Sequence, residues 1–153
     1  MRKLIIGLAL AAGCRSGGSM ASGPRPVAPE RGNVTGAASA RDAVNQFMGA
    51  VKAEDLQALG AIWGTKNGPA RDQMDVKILQ ERELIMLCYL KHDTYTVLGD
   101  APSLNRDRVF AVEITYGKIR HTGQFAVGPA SNGRYYVFSV NNFPEFQDVC
   151  GKK

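Results

Sequence analysis

The chain predicts an α+β domain in which three N-terminal helices pack on one face of an antiparallel sheet of about four strands. Three features lead there. Apolar residues recur at helical spacing from Ala40 to Leu90, they alternate with polar ones beyond His92, and Gly117-Lys118 separates two alternating runs as a two-residue hairpin link. A run of helices followed by a run of strands defines this layered class.

Ser39 with Asp42 reads as a capping box, the serine oxygen and the aspartate each accepting from amide hydrogens at a helix start. Ala40, Val44, Phe47, Met48 and Val51 then fall at i, i+4, i+7, i+8 and i+11, one face of an amphipathic helix. A second helix is expected from about Ala53 to Trp63, with Leu56, Leu59, Ile62 and Trp63 inward and Gly64 as its left-handed stop. Thr65 to Ala70 reads as a loop, and Thr65 to Gln73 is too short to supply a strand pair. Met74, Ile78, Ile85, Cys88 and Tyr89 mark a third helix. Its last turns, Leu84 to Leu90, are apolar on nearly every side, which predicts an end buried on more than one face.

Thr94 to Leu98 is the first expected strand, and Gly99 to Arg106, with Pro102, a loop. Arg108 to Tyr116 and Ile119 to Val127 form the clearest pair. Glycine first in the link between them suits a type II′ turn, which pairs Tyr116 with Ile119, Ile114 with His121, Val112 with Gly123 and Phe110 with Phe125. That set is the core face, and Glu113, Thr115, Arg120, Thr122 and Gln124 face water. A last strand, Tyr135 to Val140, is expected to put Tyr136, Phe138 and Val140 on its more apolar side. Phe143, Phe146 and Cys150 then bring an irregular tail back onto the domain.

The 153-residue chain carries a formal charge of +5, yet little of it belongs to this domain. Five of the 19 Lys and Arg precede residue 41, leaving 14; only Glu30 of the 14 Asp and Glu does, leaving 13, a net of +1. A basic stripe for nucleic acid is therefore not expected. Residues 15 to 38 are rich in Gly, Ser, Pro, Ala and Arg and too poor in large apolar side chains to fold.

Ahead of them, Arg2 and Lys3 precede an apolar run from Leu4 to Ala12, far shorter than the roughly 20 residues of a spanning helix. Leu10-Ala11-Ala12-Gly13-Cys14 resembles the lipobox of bacterial lipoprotein signal peptides. The resemblance implies a diacylglycerol on the Cys14 sulfur and cleavage before that residue. The alternative is an ordinary secretory peptide cut after Ala9-Leu10-Ala11. The expected organisation is a signal peptide at 1–13, a disordered tether at 14–38, one domain at 39–150 and a tail at 151–153. The implied location is the bacterial cell envelope, lipid-anchored and facing the periplasm. Arg15, rather than aspartate, after the cysteine favours the outer membrane. Acylating Cys14 would leave Cys88 and Cys150 of the three cysteines to form a disulfide, or to remain as two buried thiols.

The element order, and the stretch Arg41 to Gly64 in which a helix and a short Asp-Leu-started helix end in Ile62-Trp63, resemble the nuclear transport factor 2-like (cystatin-like) superfamily over about residues 38 to 149. That superfamily is cone-shaped and includes enzymes, small-ligand binders and assembly modules, so the resemblance implies a curved, cone-like sheet under the three helices and leaves activity open.

His121 is the leading candidate for chemistry, because the register places an ionisable ring on an apolar face, where it would serve as a general base or orient a ligand. Trp63, Tyr89 and Tyr116 would line the same pocket; core packing is the alternative for all four. Glu113 reads as a solvated partner of Thr122, and His92-Asp93 as turn chemistry. Two histidines without H-E-x-x-H or Cys-x-x-Cys give no metal spacing, and no cofactor motif is present. The expected function is a membrane-anchored domain that binds a ligand or protein partner without catalysis, with no cofactor and no nucleic acid. The second reading is a pocket enzyme of isomerase or dehydratase type with His121 as base.

Overall fold

The computed structural model describes residues 35–142 and Cys150. The leader, Cys14, most of the expected tether, Phe143, Phe146 and the tail at 151–153 lie outside the described residues. The fold is α+β: three helices, a four-stranded antiparallel sheet and a two-stranded one.

Helix α1, Ala40–Ala53, buries the expected face: Val44, Phe47 and Met48 are 0 % exposed. Ser39 caps it, but differently from a reciprocal box. The Asp42 amide donates to Ser39 Oγ at 3.2 Å, while the Ser39 hydroxyl donates to the Asp42 carboxylate at 2.7 Å. Order begins before the expected boundary at Ser39. Ala37 exchanges two backbone hydrogen bonds with Tyr135, Arg134 Nη2 donates to the Gly36 carbonyl, and Ala37 is fully buried.

Helix α2 runs Leu56–Ile62, shorter than expected, because Glu54 takes the left-handed conformation (φ 52) that ends α1 and Asp55 restarts the chain by accepting from the Ala58 amide. Trp63 is extended, and Gly64 is no helix stop: Gly64–Thr65 (β1) pairs with Gly68–Pro69 (β2). The segment read as a loop thus does supply a strand pair, of two residues each. Helix α3, Val76–Tyr89, departs further. Its buried positions are Leu79 and Glu83, followed by half-buried Met86 and Leu87 and by buried Leu90 just past the helix end. Ile78, Leu84, Ile85 and Tyr89 are exposed. A segment apolar on nearly all sides leaves its own rotation undetermined, and the helix packs on α1 and α2 through one stripe only.

The main sheet has the order β3-β4-β5-β6. Strand β3, Thr94–Pro102, runs past the expected end at Leu98, which is bulged out, and pairing resumes at Gly99 opposite Ala111. Because β3 is an edge strand, Pro102 at its last position costs no ladder bond. Strands β4 (Arg108–Tyr116) and β5 (Ile119–Pro129) pair in the expected register, including Ile114 with His121 and Phe110 with Phe125. Gly117 has φ 58, which the first turn position of a type II′ link requires and most residues resist. Burial alternates from Phe110 to Ile114 and again from His121 to Val127 on the face shared with the helices, where Phe47 meets Phe125 edge-on with centroids 5.9 Å apart. At the hairpin end the expected core face gives out, with Tyr116 half-buried and Ile119 51 % exposed, because the turn extends beyond the helices that cover the sheet.

In β6, Tyr135–Asn141, the expected facing is broken. The register shifts between Val137 and Ser139, so Val137 pairs Val127 and Val140 pairs Phe125. Val137 and Val140 join the helix-facing core, while Tyr136 is buried outside that cluster, its hydroxyl accepting from Asn132 Nδ2 at 2.9 Å. Cys88 and Cys150 stand at disulfide distance with Cα atoms 5.7 Å apart, closing a 62-residue separation worth roughly 4 kcal/mol on chain entropy.

The register makes a direct prediction. Phe125→Asp puts a charge among fully buried side chains and should lower unfolding free energy by more than about 4 kcal/mol, whereas Thr122→Asp, on the exposed face, should cost under about 0.5 kcal/mol. Urea unfolding of the two variants checks this, and equal losses would refute the facing.

Candidate functional site

His121 lies near the hairpin end of β5, two residues after Ile119, and is 9 % exposed. Burial pulls its pKa below 6.5, so the ring is neutral at pH 7. The residues expected around it do not line one described cavity together. Trp63 packs against the core and bridges Val137 of β6; Tyr116 sits at the end of β4 with Lys91 Nζ 5.8 Å from its ring; Tyr89 is exposed at the end of α3. Of the four, only Tyr89 lines a described cavity, a cleft of about 330 Å³ shared with Met86, Leu90 and Val140. His121 lines neither described cavity. The reason is geometric: facing the core and lining a pocket are the same thing only if the core is hollow.

The larger cleft, about 560 Å³, opens where the start of α1 meets the β3–β4 connection. Arg41, Arg106 and Arg108 line it with Asp100, Asp107, Phe110 and Tyr135. Arg108 pairs with Asp100, and Lys66 with Asp107 at 3.4 Å. The Arg41 guanidinium lies 5.8 Å from the centroid of the Phe110 ring. Arg106 is carried on a turn in which Asn105 and Arg106 have φ of 57 and 65, closed by the Ser103 amide donating to the Asp107 carbonyl. Sequence reading missed this cleft, since its arginines come from elements 65 residues apart and no local spacing unites them.

Two other groups were undervalued. Asp93 is more than a turn residue: its carboxylate accepts from the Gly117 amide at 2.7 Å, and its carbonyl accepts from Lys52 Nζ at 2.8 Å, latching the hairpin to α1. His92 is buried, with Nδ1 2.8 Å from the Leu90 carbonyl and its ring edge-on to Tyr95. Glu113, as expected, sits opposite Thr122, 3.8 Å from Arg120 Nε.

Glu83 was not foreseen at all. It is 3 % exposed, and Oε1 has no hydrogen-bond partner among the described residues. A Cβ on Gly60 would stand 2.6 Å from that oxygen, so the glycine in α2 is what makes room for the carboxyl group. Burial pushes its pKa up to about 7. Spacing was the available signal: Leu79, Glu83, Met86, Leu87 and Leu90 repeat the i, i+4, i+7, i+8, i+11 pattern that marks the inner face of α1.

No group of three or more metal-ligating side chains forms among the described residues, and no described helix is long and apolar enough to cross a membrane. The chain matches no family model, and neither a curated protein nor a solved structure is significantly similar to it.

Glu83 carries a pH prediction. Between pH 4.5 and about 7 the folded chain holds a proton that the unfolded chain has released, so stability falls as pH rises through that window. Glu83→Gln removes this loss. At pH 8 the variant should be more stable than wild type by roughly 3 kcal/mol, from ~1.4 kcal/mol per pKa unit between 4.5 and about 7, and at pH 4 the two should be nearly equal. Urea unfolding at both values tests it; a constant difference would show that Glu83 acts through packing instead.

Proposed function

We propose that this protein is an exported lipoprotein, anchored by a lipid on Cys14 and a tether, whose α+β domain binds a ligand or protein partner on its surface without catalysis. The domain belongs, on this reading, to the nuclear transport factor 2-like superfamily, with all three helices on one face of a cone-like sheet. The bulges at Leu98 and Phe138 favour such curvature, since a bulge bends its strand. The location is the periplasmic side of the envelope, at the outer membrane.

One observation carries the non-catalytic reading. The interior between helices and sheet is filled by Val44, Phe47, Met48, Leu59, Ile114, Phe125 and Val137, all 0 % exposed, and His121 is closed in with them. An isomerase or dehydratase with His121 as base needs an enclosed pocket that brings substrate within hydrogen-bond reach of the ring. The described cavities are instead surface clefts that exclude His121. Surface clefts suit recognition.

Two experiments test the two halves of the reading. Cells fed a fatty-acid analogue should label the wild-type protein, and Cys14→Ser should lose both label and membrane fractionation; an unlabelled, soluble wild type would overturn the anchor. His121→Phe should leave folding and the cellular role intact. In an NMR titration, His121 should protonate only below pH 6.5. Titration near 7 together with a turnover that falls about 10²-fold on substitution would establish the enzyme reading instead.

A further inference from the structure

We infer that the cleft between α1 and the β3–β4 connection is an anion site, built to hold a phosphate monoester group between Arg41 and Arg106. The inference deepens the binding reading above by naming a ligand class for it.

Each carboxylate lining the cleft has a cation beside it: Asp100 pairs with Arg108, and Asp107 Oδ2 lies 3.4 Å from Nζ of Lys66, a side chain from the β1–β2 turn, while Asp107 Oδ1 is buried without a hydrogen-bond partner among the described residues. Arg41 and Arg106 have no carboxylate partner among the described residues, and both face the same space. Two uncompensated guanidinium groups match a group carrying close to two negative charges near pH 7, as a phosphate monoester does. Planar guanidinium forks also fit phosphate oxygens in pairs. Arg41 is held in place by the Phe110 ring beneath it rather than by an acid, so stacking orients it without consuming its charge. The volume of about 560 Å³ falls in the range of small-molecule sites, and Phe110, Tyr135 and Pro102 give the cleft an apolar wall for the body of an ester. The phosphate chemistry is shared by a soluble ester and by a lipid headgroup, and the test separates the two.

The experiment uses the full chain with Cys14→Ser throughout, so that no lipid on that residue holds the protein to vesicles. Inorganic phosphate is titrated at fixed ionic strength while the arginine Nε–H signals are followed by NMR. Saturable shifts of Arg41 and Arg106 are expected, weakened about tenfold by Arg41→Gln or Arg106→Gln and unchanged by Lys77→Gln on the exposed side of α3. Phosphatidylcholine vesicles with and without phosphatidic acid form the second arm. Arginine-dependent sedimentation with phosphatidic acid, competed by phosphate, identifies the lipid headgroup; phosphate binding without sedimentation identifies a soluble ester. Absence of saturable shifts, or equal affinity in Arg41→Gln/Arg106→Gln, overturns the site. Such a failure leaves the anchored, non-catalytic reading to the Cys14 and His121 experiments, which it does not touch.

Discussion

The pairing of β4 with β5 is the constraint on which the rest of the domain depends. A one-residue slip in a strand turns every side chain to the opposite face. Here the slip is blocked at the hairpin, where Gly117 supplies the positive φ of a two-residue turn and its amide is held by the Asp93 carboxylate. Asp93 is itself held by Lys52 of α1 through its carbonyl. The turn that sets the register is thus tied to the helix that the register must receive. With Phe110, Val112, Ile114, Phe125 and Val127 on one face, Phe47 meets Phe125 edge-on and the inner face of α1 closes the core.

Two ionisable groups sit inside this arrangement and pull stability in opposite directions with pH. Glu83 resists ionising, so the fold loses stability as pH rises above 4.5. His121 resists protonation, so below pH 6.5 the unfolded chain takes up a proton that the folded one refuses, and stability falls as pH drops. Just below pH 6.5 both groups contribute, and there the two slopes oppose. A buried carboxyl group next to a glycine is an expensive feature for packing alone, since an apolar side chain would fill the same space without desolvating an acid.

Much of this was legible in the sequence where a period and a turn agree. The face of α1 follows from apolar spacing after a Ser cap, and the β4–β5 pairing from strict alternation across Gly117-Lys118. What could not be read has physical causes. The bulges at Leu98 and Phe138 insert one residue without a compositional sign, and the second reversed the expected facing of β6 around Val137. The left-handed residue here is Glu54, which ends α1 and so shortens the second helix at its start, while α2 ends on extended Trp63 without the left-handed stop expected at Gly64. In α3 the expected stripe of Ile78 and Ile85 is exposed and that of Leu79 and Glu83 is buried, because an acid inside the second stripe hides its helical spacing from an apolar count. The choice was made by packing against α1 and α2. Among site residues, the burial of His121 was legible from register, but whether burial meant a pocket was not, because that depends on whether the opposing helices fill the core.

The cleft at Arg41 inherits the same constraint. Arg108 and Asp100, whose ion pair leaves the other two arginines unmatched, face each other only because β3 resumes its ladder after the bulge, with Asp100 opposite Phe110 and Pro102 opposite Arg108. The turn bearing Arg106 is closed by Ser103 and Asp107 at the end of that ladder, and the left-handed backbone at Asn105 and Arg106 persists because both flanks are fixed. Arg41 is set from the other side by the inner face of α1, one residue past the buried Ala40, and rests on Phe110, a core residue of β4. A shift of β4 by one residue would remove that ring from beneath the guanidinium and break the Asp100 pairing together. The surface charge pattern is therefore a consequence of core packing: the register that builds the interior also sets which charges meet at the cleft.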